Sequence, residues 1–430
     1  MEQHLTSPFY QSQGICIDTR KIFEGCLFIC IQGANFDGNT FAEEALKQGA
    51  HHVIVDNPEF FKEDTHMTLV EDSVRYLQQL ANHHRKQFKI PFIGITGSNG
   101  KTTTKELIYT VLSKKYNVLA TQGNLNNHIG VPLTLLRLTK EHEIAIIEMG
   151  ANRFKDIEEL SEIAEPTHGI ITNIGKAHLE GFGSFEGVLK TKKELYDSIK
   201  ESKGTIIING DDEVLMNNTP ADIPLVIYGE GKENIIRGEL IGLSPFVEMK
   251  WSHDNYTSEL LQTQMIGKYN FYNYLAAAAF GFHFNVTDDK ISEALVEYSP
   301  TNNRSQVYKS PQNTLILDCY NANPTSMKSA LDSFQMMRHD NKLFIIGDMR
   351  ELGDESAAEH ERIVKLIKTH NLKGYSVGEE FGKVQSNDIL AHFDSVEDAL
   401  KYFQTHGIAD SLVLLKGSRG IQLEKLVEVL

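Results

Sequence analysis

The sequence predicts an α/β protein in three parts: a small α/β segment (1–87), a central segment (88–300) and a smaller doubly wound, Rossmann-like segment (301–430). Three observations carry this. Short apolar runs alternate with helical stretches through most of the chain, as in parallel sheets covered on both faces. Between Ile235 and Gln264 the pattern changes to short alternating segments such as Phe246-Val247-Glu248-Met249-Lys250-Trp251, which read as antiparallel hairpins added to a mostly parallel sheet. A glycine-rich turn, Gly94-Ile95-Thr96-Gly97-Ser98-Asn99-Gly100-Lys101-Thr102-Thr103-Thr104, joins a strand-like run to a helical one near the start of the central segment.

The first segment mixes short strands with helix. Gly14 to Ile17 and Cys26 to Ile31 are apolar enough for buried strands, Asn35 to Asn39 reads as a turn, Thr40 to Gln48 as a helix and His52 to Val55 as another strand. A polar helix, Ser73 to Gln87, leads onward. Arg20, in Asp18-Thr19-Arg20, reads equally as a substrate clamp or as a surface charge.

In the central segment a buried strand is expected at Ile90 to Ile95 and a helix at Lys105 to Ser113. Further strands are expected at Tyr116–Leu119, Ile144–Ile147, Gly169–Thr172, Thr205–Ile208 and Leu225–Tyr228, and an Ala-rich helix at Phe271–Phe280. In the third segment, strands are expected at Thr314–Leu317, Leu343–Ile346, Gly374–Val377 and Leu412–Leu415. Helices are expected there at Ser326–Arg338, Ala357–Thr369, Ser395–Thr405 and Gln422–Val429.

Composition excludes several classes. A length of 430 residues suggests about two to four domains. No apolar run approaches the roughly 20 residues that span a bilayer. Met1-Glu2-Gln3-His4 lacks a basic stretch followed by an apolar one, so a cytoplasmic protein without membrane insertion is expected. Cys16, Cys26, Cys30 and Cys319 form neither a disulfide ladder nor a zinc spacing and read as reduced core thiols. A formal net charge of −16 argues against nucleic-acid binding but leaves room for an anionic small substrate.

The chemistry gathers in the central segment. A glycine-rich turn before a helix presents backbone N–H groups as an anion nest at the positive end of the helix dipole. Lys101 is then placed to reach the terminal phosphates of a nucleotide and the Thr102 hydroxyl to ligate Mg²⁺. The spacing is a short Gly-x-x-Gly-Lys-Thr form, because Ile95 stands where the ordinary phosphate loop has glycine.

Ligands of open α/β sheets bind beyond the carboxyl ends of the strands. Glu148 ends one such strand and suits a divalent cation, or faces water. His178 follows the next, in Thr172-Asn173-Ile174-Gly175-Lys176-Ala177-His178, as a metal ligand or a structural histidine. The loop holding Asn124, Asn126 and Asn127 offers amides to a substrate, although such clusters also form ordinary turns. Asn270 and Asn273 share a helix face, suited either to an adenine edge or to capping.

These residues resemble the Mur ligase family, ATP-dependent amide ligases that build the peptidoglycan stem peptide. Thr96 to Thr104 is similar to the family's phosphate loop, and Glu148, His178, Asn270, Asn273, Arg304 and Asp318 match its other hallmark positions in order. The resemblance runs through nearly the whole chain. Within the family, Gly123-Asn124-Leu125-Asn126-Asn127, Glu148-Met149-Gly150-Ala151, Asp318-Cys319-Tyr320-Asn321-Ala322-Asn323-Pro324 and Gly347-Asp348-Met349-Arg350-Glu351-Leu352-Gly353 look like the motifs of the last ligase. The Asp-Asn-Pro-Arg motif of the preceding ligase is absent, which favours a dipeptide as the incoming amine. Two positions depart from the pattern: Tyr269 and Asn39 stand where the family usually has histidine, and a tyrosine can still stack on the base.

The resemblance implies that D-Ala-D-Ala is joined to UDP-N-acetylmuramoyl-tripeptide through an acyl phosphate, with ATP held by Gly97, Ser98, Asn99, Gly100, Lys101, Thr102, Thr103, Asn270, Asn273, Arg304 and Asp318. It implies Mg²⁺ as two ions on Thr102, Glu148, His178 and a carbamylated lysine, expected at Lys192 of Thr191-Lys192-Lys193-Glu194-Leu195-Tyr196, with Lys190 and Lys193 close by. Lys101, Glu148, His178 and Lys192 would be the catalytic set. The three segments would then be a UDP-sugar-binding domain using Arg20, an ATP-binding domain, and a dipeptide-binding domain using Asn321, Asn323, Asp348 and His360. Asn124, Asn126 and Asn127 would also contact substrate. A monomer that closes on its ligands is expected.

Overall fold

The computed structural model describes residues 3–33, 36–63, 66–243, 245–301, 303–384 and 386–430, with the side chains of Gln3 and His4 outside the description. Val/Ile-rich runs buried on both faces form the strand centres, and the helices between them cover both faces. The N-terminal sheet is four-stranded and parallel, in the order Ile15–Cys16, Leu27–Ile29, His52–Val55, Met67–Leu69. All four cysteines are free and buried.

The central sheet is ten-stranded. Its parallel part runs Leu225–Gly229, Thr205–Asn209, His168–Ile171, Phe92–Thr96, Ile144–Glu148, Val118–Ala120 in spatial order. Ile236–Leu243 joins parallel to Leu225–Gly229 and turns back through antiparallel pairings with Phe246–His253, which in turn pairs with Tyr256–Thr257 and Leu261–Ile266. The C-terminal sheet is six-stranded, in the order Gln306–Lys309, Asn313–Asp318, Ser411–Lys416, Lys342–Gly347, Lys373–Val377, Ile389–Phe393. It is parallel except for its first strand.

The predicted fold class stands, with local corrections. The helix after the glycine-rich turn is Lys101–Leu112, starting four residues before the expected position, so that Lys101 to Thr104 form its first turn. Of the expected turn, Asn35 lies outside the described residues, while Phe36–Asp37 pairs with Gln32–Gly33 and Gly38–Phe41 forms a 3₁₀ turn. The expected terminal helix is a 3₁₀ helix, Leu423–Glu428, which buries Leu423 and Leu426 at the three-residue spacing that this tighter helix aligns. The strands Met67–Leu69, Gln306–Lys309 and Ile389–Phe393 were not anticipated.

Two junctions tie the sheets together. The helix Ser73–Arg85 lies on the central domain, where Arg85 Nε donates to Ala164 O at 2.8 Å and its guanidinium stacks 3.9 Å from the Phe92 ring centroid. At the other end, Asn323 Nδ2 donates to Asn99 Oδ1 at 2.8 Å and Lys176 Nζ to Glu359 Oε1 at 2.7 Å. No helix among the described residues is long and apolar enough to cross a membrane.

The Ala-rich helix Lys268–His283 backs the helix Lys101–Leu112, with Phe271 fully buried between sheet and helix. Phe271→Ala is expected to destabilise the central domain by about 3–5 kcal/mol. Chemical denaturation followed by Trp251, the single tryptophan, reads this directly; a loss below about 1 kcal/mol would contradict the packing described.

Candidate active site

The strands Phe92–Thr96 and Ile144–Glu148 are parallel neighbours, with Ile95 opposite Glu148, so the glycine-rich turn and the carboxylate emerge side by side at the carboxyl edge. They open into a cavity of about 900 Å³ between the central and C-terminal domains. Ser98, Asn99, Gly100, Lys101, Thr102, Thr103, Asn124, Asn126, Asn127, Glu148, His178, Asn270, Asn273, Arg304, Asp318 and Asn321 all line it. The sequence points to each of these as a binding or catalytic residue, and one cavity gathers them.

The turn is built by backbone constraint. Gly97 has φ +145° and Gly100 φ +81°, and a Cβ at Gly97 would overlap Thr172 Oγ1. Ser98 fixes the neighbouring loop, its hydroxyl donating to Gly175 O at 3.0 Å and accepting Gly175 N–H at 2.9 Å. The Asn99 N–H donates to Asn173 Oδ1 at 3.1 Å. Lys101 Nζ donates to Gly97 O at 2.6 Å. Burial lowers the pKa of this ammonium, Glu148 opposes the shift and Arg304 adds to it.

Glu148 is 1% exposed. Its Oε1 accepts from Thr102 Oγ1 at 3.1 Å and Asn126 Nδ2 at 2.8 Å, and its backbone N–H donates to Thr121 Oγ1 at 2.9 Å. Its Oε2 is buried without a hydrogen-bond partner. A buried, unpaired carboxylate oxygen beside a threonine hydroxyl is a hard-oxygen donor set that fits Mg²⁺. Among the described residues no three His, Cys, Asp or Glu side chains converge as a metal cluster, so the remaining ligands of such an ion would come from phosphate and water.

His178 and Lys192 stand differently from Glu148. His178 has φ +51° and its Nδ1 lies 2.6 Å from Glu351 Oε2, a contact that lowers the Glu351 pKa. Lys192 is 2% exposed on the helix Phe185–Glu201, with its Nζ 5.7 Å from the Phe182 ring centroid, and it does not line the cavity. Burial, and then the charge of Lys101, hold its ammonium well below the ordinary lysine pKa.

The asparagines are partly engaged in shaping the site. Asn127 Oδ1 accepts the N–H groups of Ile129 and Gly130. Asn273 Nδ2 donates to Asn270 Oδ1 at 2.8 Å, while Asn273 Oδ1 accepts from Thr104 Oγ1 at 3.0 Å. Tyr269 also lines the cavity, with its hydroxyl 2.7 Å from Ser305 Oγ, and burial raises its pKa. Asn39 is buried away from the cavity, donating to Asp37 and Asp56.

Besides Gly97 at the base of the turn and Lys192, four predicted residues do not line the cavity. Arg20 has an 84% exposed side chain paired to Asp18, whose carboxyl it holds down to about 2 by hydrogen bonding. Asn323 caps the helix Pro324–Met336 and touches the site only through Asn99. Asp348 and His360 lie deeper. The Asp348 carboxylate accepts the N–H groups of Glu380 and Phe381, and His360 Nε2 accepts the Met349 N–H at 3.1 Å. Both are buried inside the C-terminal domain, where they shape the turn that carries Glu351.

Several lining residues were missed by the sequence reading: Tyr320, Glu351, Lys416 and Arg419. Arg304 stacks 3.8 Å from the Tyr320 ring centroid, Arg419 stands 5.3 Å from it, and Lys416 Nζ pairs with Asp318 Oδ2 at 2.9 Å. Lys416 ends the strand Ser411–Lys416 and Arg419 follows it closely, so the carboxyl-edge rule applied to that strand would have found them.

Three descriptions of one family match the chain in order: "Mur ligase family, catalytic domain" at residues 11–85, "Mur ligase middle domain" at 95–281 and "Mur ligase, glutamate ligase domain" at 303–419. The UDP-N-acetylmuramoyl-tripeptide–D-alanyl-D-alanine ligase of Bacillus subtilis is 33% identical over 99% of this chain and 95% of its own length. That of Escherichia coli is 34% identical over 97% and 93%. Among solved structures, MurF from Acinetobacter baumannii superimposes with a TM-score of 0.88 at 29% identity, covering 99% of this chain and 97% of its own. MurF from Thermotoga maritima in complex with ADP does so with 0.87 at 27% identity, covering 100% and 98%.

Gly97→Ala combines a left-handed backbone with a steric overlap in the glycine-rich turn. It is expected to weaken ADP binding by about tenfold or more. Isothermal titration calorimetry checks this, and unchanged affinity would contradict the geometry of the turn.

Proposed function

The chain belongs to the Mur ligase family, and we propose that it catalyses the ATP-dependent joining of D-Ala-D-Ala to UDP-N-acetylmuramoyl-tripeptide, the last cytoplasmic step of peptidoglycan-precursor synthesis. The observation that carries this reading is the single cavity in which the phosphate turn and Glu148 of the central domain face Arg304, Asp318 and Asn321. Relatives with that activity align along almost the whole chain.

In this reading ATP lies with its phosphates on Gly97 to Thr103 and its base towards Asn270, Asn273 and Tyr269, flanked by Arg304 and Asp318. The terminal carboxylate of the tripeptide attacks the γ-phosphorus, the bond to the bridging oxygen breaks, and ADP leaves. Lys101 and the backbone amides of the turn neutralise charge that spreads over the phosphoryl oxygens. The amine of D-Ala-D-Ala then attacks the acyl carbon. The tetrahedral intermediate collapses, phosphate departs with one former carboxylate oxygen, and the amine loses a proton.

Glu148 and Thr102 would hold Mg²⁺, with His178 and a carbamylated Lys192 towards a second ion. Bound there, Mg²⁺ supplies Lewis-acid screening between carboxylate and phosphate. Burial favours the neutral amine of Lys192, which is the form that adds CO₂ to give an anionic carbamate and a released proton. The N-terminal domain (1–87), with Arg20, takes the UDP-sugar end, and the central domain (88–300) activates the carboxylate. The C-terminal domain (301–430) brings Asn321 and Asn323 towards the dipeptide, in a protein acting as a monomer.

Phosphate release tests the reading. With ATP, the UDP-muramoyl-tripeptide and D-Ala-D-Ala together, ADP and phosphate are expected in step with the new amide. Omitting either acceptor is expected to abolish net phosphate release. Full turnover without the dipeptide, or accumulation of a stable phosphorylated product, would contradict a ligase.

A further inference from the structure

The segment Thr172 to His178 lies between two bodies. Its first half is bonded to the phosphate turn: Ser98 N–H donates to Asn173 O at 3.0 Å, and the Ser98 hydroxyl bridges to Gly175. Its second half reaches the C-terminal domain. The Lys176 N–H donates to Thr325 Oγ1 at 3.1 Å, Lys176 Nζ donates to Glu359 Oε1 at 2.7 Å, and Glu355 Oε2 stands 3.6 Å from the same ammonium. His178 meets Glu351, and the Glu180 N–H is directed at Glu351 O.

We propose that the Lys176–Glu359 ion pair is the contact through which the C-terminal domain sets the position of His178, so that Lys176 and Glu359 are positioning residues for the ligation reaction. Glu359 is 3% exposed, on the helix Ser356–Thr369. A carboxylate so deeply buried needs cationic partners. One is Arg362, from its own helix; the other is Lys176, from the opposite domain. Withdrawal of the C-terminal domain would leave Glu359 short of a charge partner and Lys176 without its anchor.

The backbone gives the contact its consequence. His178 (φ +51°) and Glu351 (φ +63°) are both non-glycine residues in the left-handed region, one from each domain, and their side chains face each other. Such conformations persist where surrounding contacts over-determine them. Lys176, two residues before His178, supplies that constraint from one side and Glu351 from the other. Docking of the domain proposed to carry the dipeptide therefore shapes the loop beside the phosphates. This inference rests on the ligase reading for its link to turnover, but its structural half is measurable without substrates.

The test uses the full chain with Lys176→Met, Lys176→Arg, Glu359→Gln and the Met/Gln pair. Lys176→Met is expected to lower kcat about tenfold, the value of one charge-assisted hydrogen bond, while ADP affinity stays unchanged. Lys176→Arg is expected to restore most of kcat, and Glu359→Gln is expected to add little to Lys176→Met. In the substrate-free protein, hydrogen exchange of the amides at 172–178 is expected to rise in Lys176→Met and to return in Lys176→Arg.

Wild-type kcat in Lys176→Met, loss of ADP affinity in step with kcat, independent multiplication of the two effects, or unchanged exchange at 172–178 would each overturn the proposal. Absence of ligation by the unmodified chain would instead overturn the functional reading, and the exchange result would still decide whether Lys176 positions the loop.

Discussion

The arrangement depends on a carboxylate that the fold buries beside cations. Glu148 ends a central strand with one oxygen fully engaged and the other unpaired, next to Lys101 and across the cavity from Arg304. Taking charges out of water is costly unless opposite charges and hydrogen bonds compensate. The central sheet meets this constraint through register. Pairing Ile95 with Glu148 sets the carboxylate beside the phosphate turn, where Thr102 and Asn126 donate to it, while Thr121 accepts the Glu148 backbone N–H from the end of the next strand. An anionic ligand with a hard cation would complete the balance that these side chains begin.

The second requirement is that no single domain encloses the reaction. The central domain contributes the turn, Glu148 and His178, while the C-terminal domain contributes Arg304, Asp318, Tyr320 and Arg419 along the facing wall. Beside the phosphates the junction is polar, with Asn323 on Asn99, Glu351 on His178 and Glu359 on Lys176, while Ile266 and Phe246 of the central domain pack against the C-terminal apolar cluster. Polar contacts separate more readily than apolar ones, which suits the side of the junction that must admit and release large substrates. Its contacts fall on the two loops that bracket the phosphates, so docking and alignment are physically linked.

Much of this was legible in the sequence because the relevant residues follow buried strands. The apolar runs before Thr96, Glu148 and Thr172 fix where the carboxyl edge lies, and the glycines of the turn mark where backbone must bend tightly. What stayed hidden depends on partners distant in the chain. Nothing local to Asp348 reveals that Glu380 and Phe381 will occupy its oxygens, or that His360 will accept the Met349 N–H. Lys176 similarly finds Glu359 far along the chain. The short edge strand Gln306–Lys309 carries too little apolar pattern to stand out, and the spacing of Leu423 and Leu426 suits a 3₁₀ helix as well as an α-helix.

The central claim is that the tripeptide carboxylate is activated by direct phosphorylation in this cavity. It is tested most directly by labelling that carboxylate with heavy oxygen and following the label by mass spectrometry or phosphorus NMR after a single turnover with ATP and D-Ala-D-Ala. The account predicts one labelled oxygen in the released phosphate and the other in the new amide. Unlabelled phosphate formed alongside the amide product would contradict it.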